Sequence, residues 1–184
     1  MPGPSRPRTA ALVAALLLAP GATPATAAPL PGPVAREAAA LTGSAKLYRS
    51  AGDDITFAFD ARLAAEDRAD PTRATGTFAF SHEAPRVHGS AEGRVDCLLT
   101  GGKVAVVSGV ITRADRDLAG AVGTRVGMTV HDRAGGDRLG YSWALAGTPT
   151  ARAGNLPRCV SSAPFERVAE GTGDFVVVPW RPTA

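Results

Sequence analysis

From about Thr42 onward the dominant period of this chain is two, and that period confines it to strands. Ile55, Phe57 and Phe59 alternate with Thr56, Ala58 and Asp60, and Phe78 and Phe80 alternate with Thr77, Ala79 and Ser81. Val126, Met128 and Val130 alternate with Arg125, Gly127, Thr129 and His131. Successive side chains of a strand point to opposite faces, so each run reads as a strand with one apolar face. Turn clusters separate the runs, and no long amphipathic helical pattern competes with them.

Between Ala91 and Thr112, Gly101-Gly102 divides two strand-like runs at hairpin spacing. Opposing Thr100 with Lys103 sets Leu99 against Val104, Cys97 against Val106 and Val95 against Ser108. One face then collects the large aliphatics, and Cys97 is expected to point into the core. A second hairpin is expected around Asp132 to Asp137, resuming as Leu139, Tyr141, Trp143 and Leu145. Residues 147–164 are rich in Pro and Gly and carry Cys159, and a last strand runs from Phe175 to Val178. About eight short strands specify an all-β fold, an antiparallel β-barrel or sandwich. A closed or nearly closed barrel is preferred because closure removes exposed edges. Gly89, Gly93, Gly109 and Gly127, inside strands, suit bulges or sharp coiling. Alternation places Ile55, Phe57, Phe59, Phe78, Phe80, Val95, Leu99, Val104, Val106, Val126, Met128, Val130, Tyr141, Trp143 and Leu145 in the core. Trp180, beside Pro179 and Arg181, belongs at the surface.

The N-terminus has a different character. Arg6 and Arg8 precede an apolar run from Ala10 to Ala19, and a small-residue stretch from Gly21 to Ala28 follows. This is the layout of a signal peptide, residues 1–27, with cleavage expected between Ala27 and Ala28. About ten apolar residues make a helix of roughly 15 Å, half a bilayer core, so a retained anchor is a poor alternative. Residues 28–41 read as a flexible leader with a short helix over Val34 to Leu41, and 42–184 as one β domain. Export implies a secreted, extracellular location and an oxidising compartment, where Cys97 and Cys159 are expected to form a disulfide. The formal net charge of +3 falls to +1 once Arg6 and Arg8 are removed. A nearly neutral domain has no electrostatic case for nucleic acid, and none for a membrane after cleavage. A monomer with an unknown extracellular ligand is the expectation.

Chemistry-bearing residues are sparse. His82 and His88 flank a turn and could meet as a metal pair, but His88 shares its face with the polar Ser90, Glu92 and Arg94. His131 and Asp132 are adjacent strand residues facing opposite ways, which denies them the geometry of a dyad. Asp132 and Asp137, with intervening glycines, could hold calcium, although turn chemistry alone explains them. No strained Gly-x-Ser-x-Gly element and no phosphate-cradling loop occurs. Accordingly no catalytic, cofactor or metal residues are assigned, and the favoured reading is a non-enzymatic binding or cell-envelope-associated module. The alternative is a small secreted hydrolase or metal-dependent enzyme using His82, Glu83, His88 or His131, which requires at least three of them to converge.

One resemblance adds to this reading. Its residues are Phe57-Ala58-Phe59-Asp60-Ala61, Gly76-Thr77-Phe78, Val87-His88-Gly89, Val95-Asp96-Cys97-Leu98, Ser108-Gly109-Val110-Ile111, Val130-His131-Asp132 and Gly173-Asp174-Phe175-Val176-Val177. In this order they resemble a family of small secreted actinobacterial proteins, uncharacterised and sometimes filed under the borrowed name repetin. Where similar sequences often read Asn-Gly-Glu-Pro-Gly after the Val-x-Asp element, this chain has Arg133-Ala134-Gly135. The resemblance implies export and a β fold, and it implies no activity.

Overall fold

The computed structural model describes residues 37–152 and 156–181; the expected signal peptide and most of the expected leader lie outside them. Nine strands form one antiparallel sheet: β1 (Glu37–Lys46), β2 (Asp54–Ala64), β3 (Thr75–Ala84), β4 (Val87–Gly101), β5 (Val104–Ala114), β6 (Arg125–His131), β7 (Arg138–Tyr141), β8 (Glu166–Arg167) and β9 (Asp174–Val178). Their order is β8-β7-β6-β5-β4-β3-β2-β1-β9, so neighbours in space are almost everywhere neighbours in sequence. The sheet curls into a half-barrel whose concave face holds the core. β1 starts at Glu37, five positions before the expected domain start, and Ala38 to Leu41 are buried strand residues rather than a helical leader.

The core follows the alternation along β2 and β3, where Ile55, Phe57, Phe59, Phe78 and Phe80 are buried, and along β6, where Val126, Met128 and Val130 are. β4 and β5 depart from it. The register slips between Glu92 and Gly93 and between Val95 and Cys97, leaving Asp96 as a bulged residue. Each extra residue exchanges the two faces beyond it. The hairpin therefore closes at Gly101 opposite Val104, with Gly102-Lys103 rather than Gly101-Gly102 at its tip. Leu98, Ala105 and Val107 enter the core; Leu99 is 44% exposed, and Val104 and Val106 are only partly covered, in place of their expected burial. β7 ends at Tyr141, so Trp143 is buried from a turn while Leu145 stands out at 95% exposure.

The same slip turns Cys97 to the convex face, opposite the core residues Leu98 and Val107. There it pairs with Ser108 and bonds to Cys159, the Cα atoms 5.4 Å apart, within the range a disulfide requires. Residues 156–165 form a strap over this convex face. Gly127 and Gly140 make room for it: a Cβ at either would stand 1.9 Å and 2.1 Å from the carbonyl oxygens of Val160 and Ala163. Beneath the strap, Ser108 Oγ donates to Asp96 (2.7 Å) and accepts from the Cys159 amide (3.0 Å), while Arg125 Nε donates to the other Asp96 oxygen (2.7 Å). The bulged acid, half-buried on a face that alternation marks as solvent, is thereby satisfied.

The gap between the first and last strands is spanned in two ways. Leu47 bridges Val168, and the amides of Tyr48 and Ala169 donate to Arg167 and Lys46. The free edge of β9 is capped by carboxylates: Phe175 N–H donates to Asp137 (2.9 Å) and Val177 N–H to Asp132 (3.0 Å). These two loop acids thus close the sheet edge. Lys103 also donates to Asp132 at 2.8 Å. Burial alone would raise the Asp132 carboxyl, but the bonds from Lys103 and Val177 and the nearby positive charge outweigh it and hold the group below its ordinary range.

A folded value below the unfolded one means that Asp132 stabilises the fold above the ordinary Asp range, near pH 4, and loses that contribution as pH falls through the folded value. Asp174 works the opposite way. Burial first, and then a hydrogen bond and repulsion from Asp137, raise its carboxyl, so its contribution is lost as pH rises through the folded value. Asp132→Asn is therefore expected to flatten the acid limb of melting temperature against pH, read between about pH 2 and 6. An unchanged acid limb would show that the β9 cap does not depend on this charge.

Candidate functional site

The half-barrel has a mouth where β2 begins and β3 ends. A cavity of about 200 Å³ opens there, walled by Ile55, Phe57, Phe80, Tyr141, Trp143 and Leu118 and rimmed by the side chains of Arg49, Asp53 and His82. The apolar wall is a consequence of the alternation. Phe57 on β2 and Phe80 on β3 share the concave face, and the curl brings Tyr141 from β7 across the interior to within 5.5 Å of Phe57, centroid to centroid. Trp143 then packs at 4.8 Å on Phe80 and 4.9 Å on Tyr141, tilted by 40° and 52°, as aromatic pairs prefer over a flat stack.

The polar rim is unevenly occupied. Arg49 is held by both oxygens of Glu166, Nη2 lying 3.1 Å from Oε1, and Nη2 also donates to the Tyr141 hydroxyl at 3.0 Å. The Glu166 hydrogen bond is the main reason the guanidinium lies above its ordinary range, with burial opposing it. Burial in turn raises the Tyr141 phenol, opposed by the Arg49 charge, so the hydroxyl keeps its proton at neutral pH. Asp53 is less engaged: Oδ2 lies 3.3 Å from His82 Nε2, and among the described residues Oδ1 has no hydrogen-bond partner.

Of the histidines and acids weighed from the sequence as possible site residues, His82 lines this cavity, with Ile55, Phe57, Phe80, Tyr141 and Trp143 of the expected core around it. His82 lies opposite Gly89, whereas His88 lies opposite Glu83 on the other face of the sheet and is bound to it at 2.8 Å. The two histidines therefore do not meet as a metal pair. His131 stands across from Val104, near the tip of the β4–β5 hairpin, far along the strands from His82. Thus His82, Glu83, His88 and His131 do not converge, and Asp132 and Asp137 are turned to the β9 amides. Among the described residues no group of three or more His, Cys, Asp or Glu side chains is placed to hold a metal ion.

Arg49 and Asp53 were not singled out because they lie in the non-periodic stretch between β1 and β2. The one feature there is the turn Arg49-Ser50-Ala51-Gly52, closed by the Gly52 amide on the Arg49 carbonyl at 3.4 Å, with Asp53 between it and the aromatic strand. A second hollow of about 270 Å³ lies under Trp180, between Leu63, Leu98 and Leu99. Its hydroxyl, Thr100 Oγ1, accepts from the Trp180 amide at 2.7 Å, and the indole donates to the Arg68 carbonyl at 3.1 Å. Trp180 fastens the C-terminal segment across that end of the molecule.

Fold and site together define a disulfide-bonded antiparallel β half-barrel with an aromatic cavity at its mouth. Compared with family models, with curated proteins and with solved structures, the chain finds no match.

Proposed function

We propose that this protein is a secreted, non-enzymatic binding module that holds a small molecule in the cavity at the mouth of the half-barrel. The observation that carries the reading is the convergence on one concave space of four aromatic side chains and a carboxylate, Asp53, whose one hydrogen-bond partner among the described residues is His82. Ligand sites are concave and mostly apolar, with few polar groups that fix orientation. A volume of about 200 Å³ suits a ligand of one ring with a short arm, since a dry cavity of about 150 Å³ already takes benzene. The disulfide and the resemblance to exported proteins support secretion.

Trp143 makes the test direct. In a Trp180→Phe background its fluorescence is expected to change saturably on titration with single-ring compounds, and Ala144→Phe, at the cavity rim, is expected to weaken that binding at least about tenfold. Absence of any saturable change across neutral, cationic and anionic single-ring compounds would overturn the reading. The His82–Asp53 contact is the one observation that favours the small-hydrolase alternative. Ser81, adjacent to His82 on β3, alternates to the other face and does not complete a triad. Hydrolysis of a small ester that is lost in His82→Ala would nevertheless establish that alternative.

A further inference from the structure

We infer that the ligand of the mouth cavity carries a positive charge: a small aryl- or alkylammonium compound whose apolar body fills the aromatic space and whose nitrogen meets Asp53. The inference rests on the reading of the cavity as a ligand site and adds the chemistry of what enters it. Two charged side chains apart from the histidine line this space, Arg49 and Asp53, and they are not equally available. The Arg49 guanidinium is spent on both Glu166 oxygens and the Tyr141 hydroxyl. A carboxylate or phosphate binding across the two Nη atoms would have to displace a bidentate partner already in place. Asp53 has the opposite standing. Its side chain is 29% exposed, and its one hydrogen-bond partner among the described residues is the His82 ring nitrogen, 3.3 Å from Oδ2.

The charges therefore sum in one direction. Arg49 and Glu166 cancel, and Asp53 leaves the rim negative whenever His82 is uncharged. The wall behind it is four aromatic rings, whose faces attract cations, most strongly when water is excluded, and tryptophan is the best of them. Trp143 is 6% exposed and Tyr141 9%, so these rings form the buried wall of the cavity, while Asp53, 29% exposed, stands at its rim. A neutral ring would gain the apolar contact alone. An anion would meet Asp53 repulsively, and both Nη atoms of Arg49 are already bonded to Glu166 and Tyr141.

The test uses three compounds of nearly one shape, phenylethylamine, 2-phenylethanol and phenylacetate, titrated against the Trp180→Phe protein at about pH 8.5, where an ordinary imidazole is uncharged. The amine is expected to bind at least about tenfold more tightly than the alcohol, and the carboxylate most weakly. Asp53→Asn should remove the preference for the amine and leave the alcohol within about twofold of its original affinity. Asp54→Asn, one residue on and tied to Lys46 outside the cavity, should leave the preference intact, which separates a local contact from general surface charge. If the alcohol or carboxylate binds as well as the amine, or if Asp53→Asn keeps the preference, the inference is overturned while the cavity remains a ligand site. If none of the three binds, both fail.

Discussion

Replacing Cys97 and Cys159 together by alanine is expected to cost the fold roughly 4 kcal/mol. The two residues are 62 apart in sequence, and closing a loop of that length removes about that much free energy from the unfolded chain's entropy. For a domain of this size the melting temperature should fall by roughly 10 °C. The loss should be local before it is global. The strap of residues 156–165 is held to the convex face by the disulfide, by the Cys159 amide on Ser108 and by backbone contact over Gly127 and Gly140. Cys159 itself sits at a φ of 62°, a left-handed conformation that costs a non-glycine residue about 1 kcal/mol and persists only because its surroundings impose it. Without the bond, amide exchange should quicken first in the strap. The mass of the unmodified protein should rise by about 2 Da on reduction. A melting temperature unchanged in the double variant would show that the strap holds without its covalent tie.

Phe57→Ala should be close to disabling. Phe57 is 1% exposed and its ring lies within 6.4 Å, centroid to centroid, of four others: Phe59, Phe80, Tyr141 and Trp143. It joins β2 to β7 across the interior, so deleting it opens a void where the curl of the sheet is packed. The cost is expected at about 3 to 5 kcal/mol, against a total stability of about 5 to 15 for an ordinary domain. Denaturant unfolding reads the change as a lower midpoint with an unchanged slope. Leu145→Ala provides the internal contrast. Alternation alone ranks Leu145 with Phe57 as core, but at 95% exposure its truncation should stay within about 0.5 kcal/mol. Comparable losses at the two positions would mean that the concave face has been assigned wrongly.

Those two positions mark where reading the chain succeeds and where it stops. Period-two alternation was sufficient for an all-β antiparallel fold and for the buried faces of β2, β3 and β6, because a strand's side-chain direction is set by the backbone itself. Pairing Cys97 with Cys159 needed only an even count and the expectation of export. The faces of β4 and β5 were not legible, since one bulged residue at Asp96 reverses every side chain beyond it and leaves no mark in the hydrophobic pattern. For the same reason Cys97 was expected in the core and lies under a strap on the convex face. The strap itself depends on backbone approaching Gly127 and Gly140 from more than twenty residues away in the chain. The mouth cavity was equally hidden. His82 was visible as a candidate, but Arg49 and Asp53 come from a turn without periodicity, Trp143 from a turn that alternation reads as strand, and Glu166 from far down the chain. What the sequence determined by itself was the local direction of each strand, a property of neighbouring residues. What only the tertiary structure decided was register across bulges, the closure of β9 by Asp132 and Asp137, and the charges that meet at the mouth. Each of these depends on distances between residues remote in sequence, which the curl of the sheet alone sets.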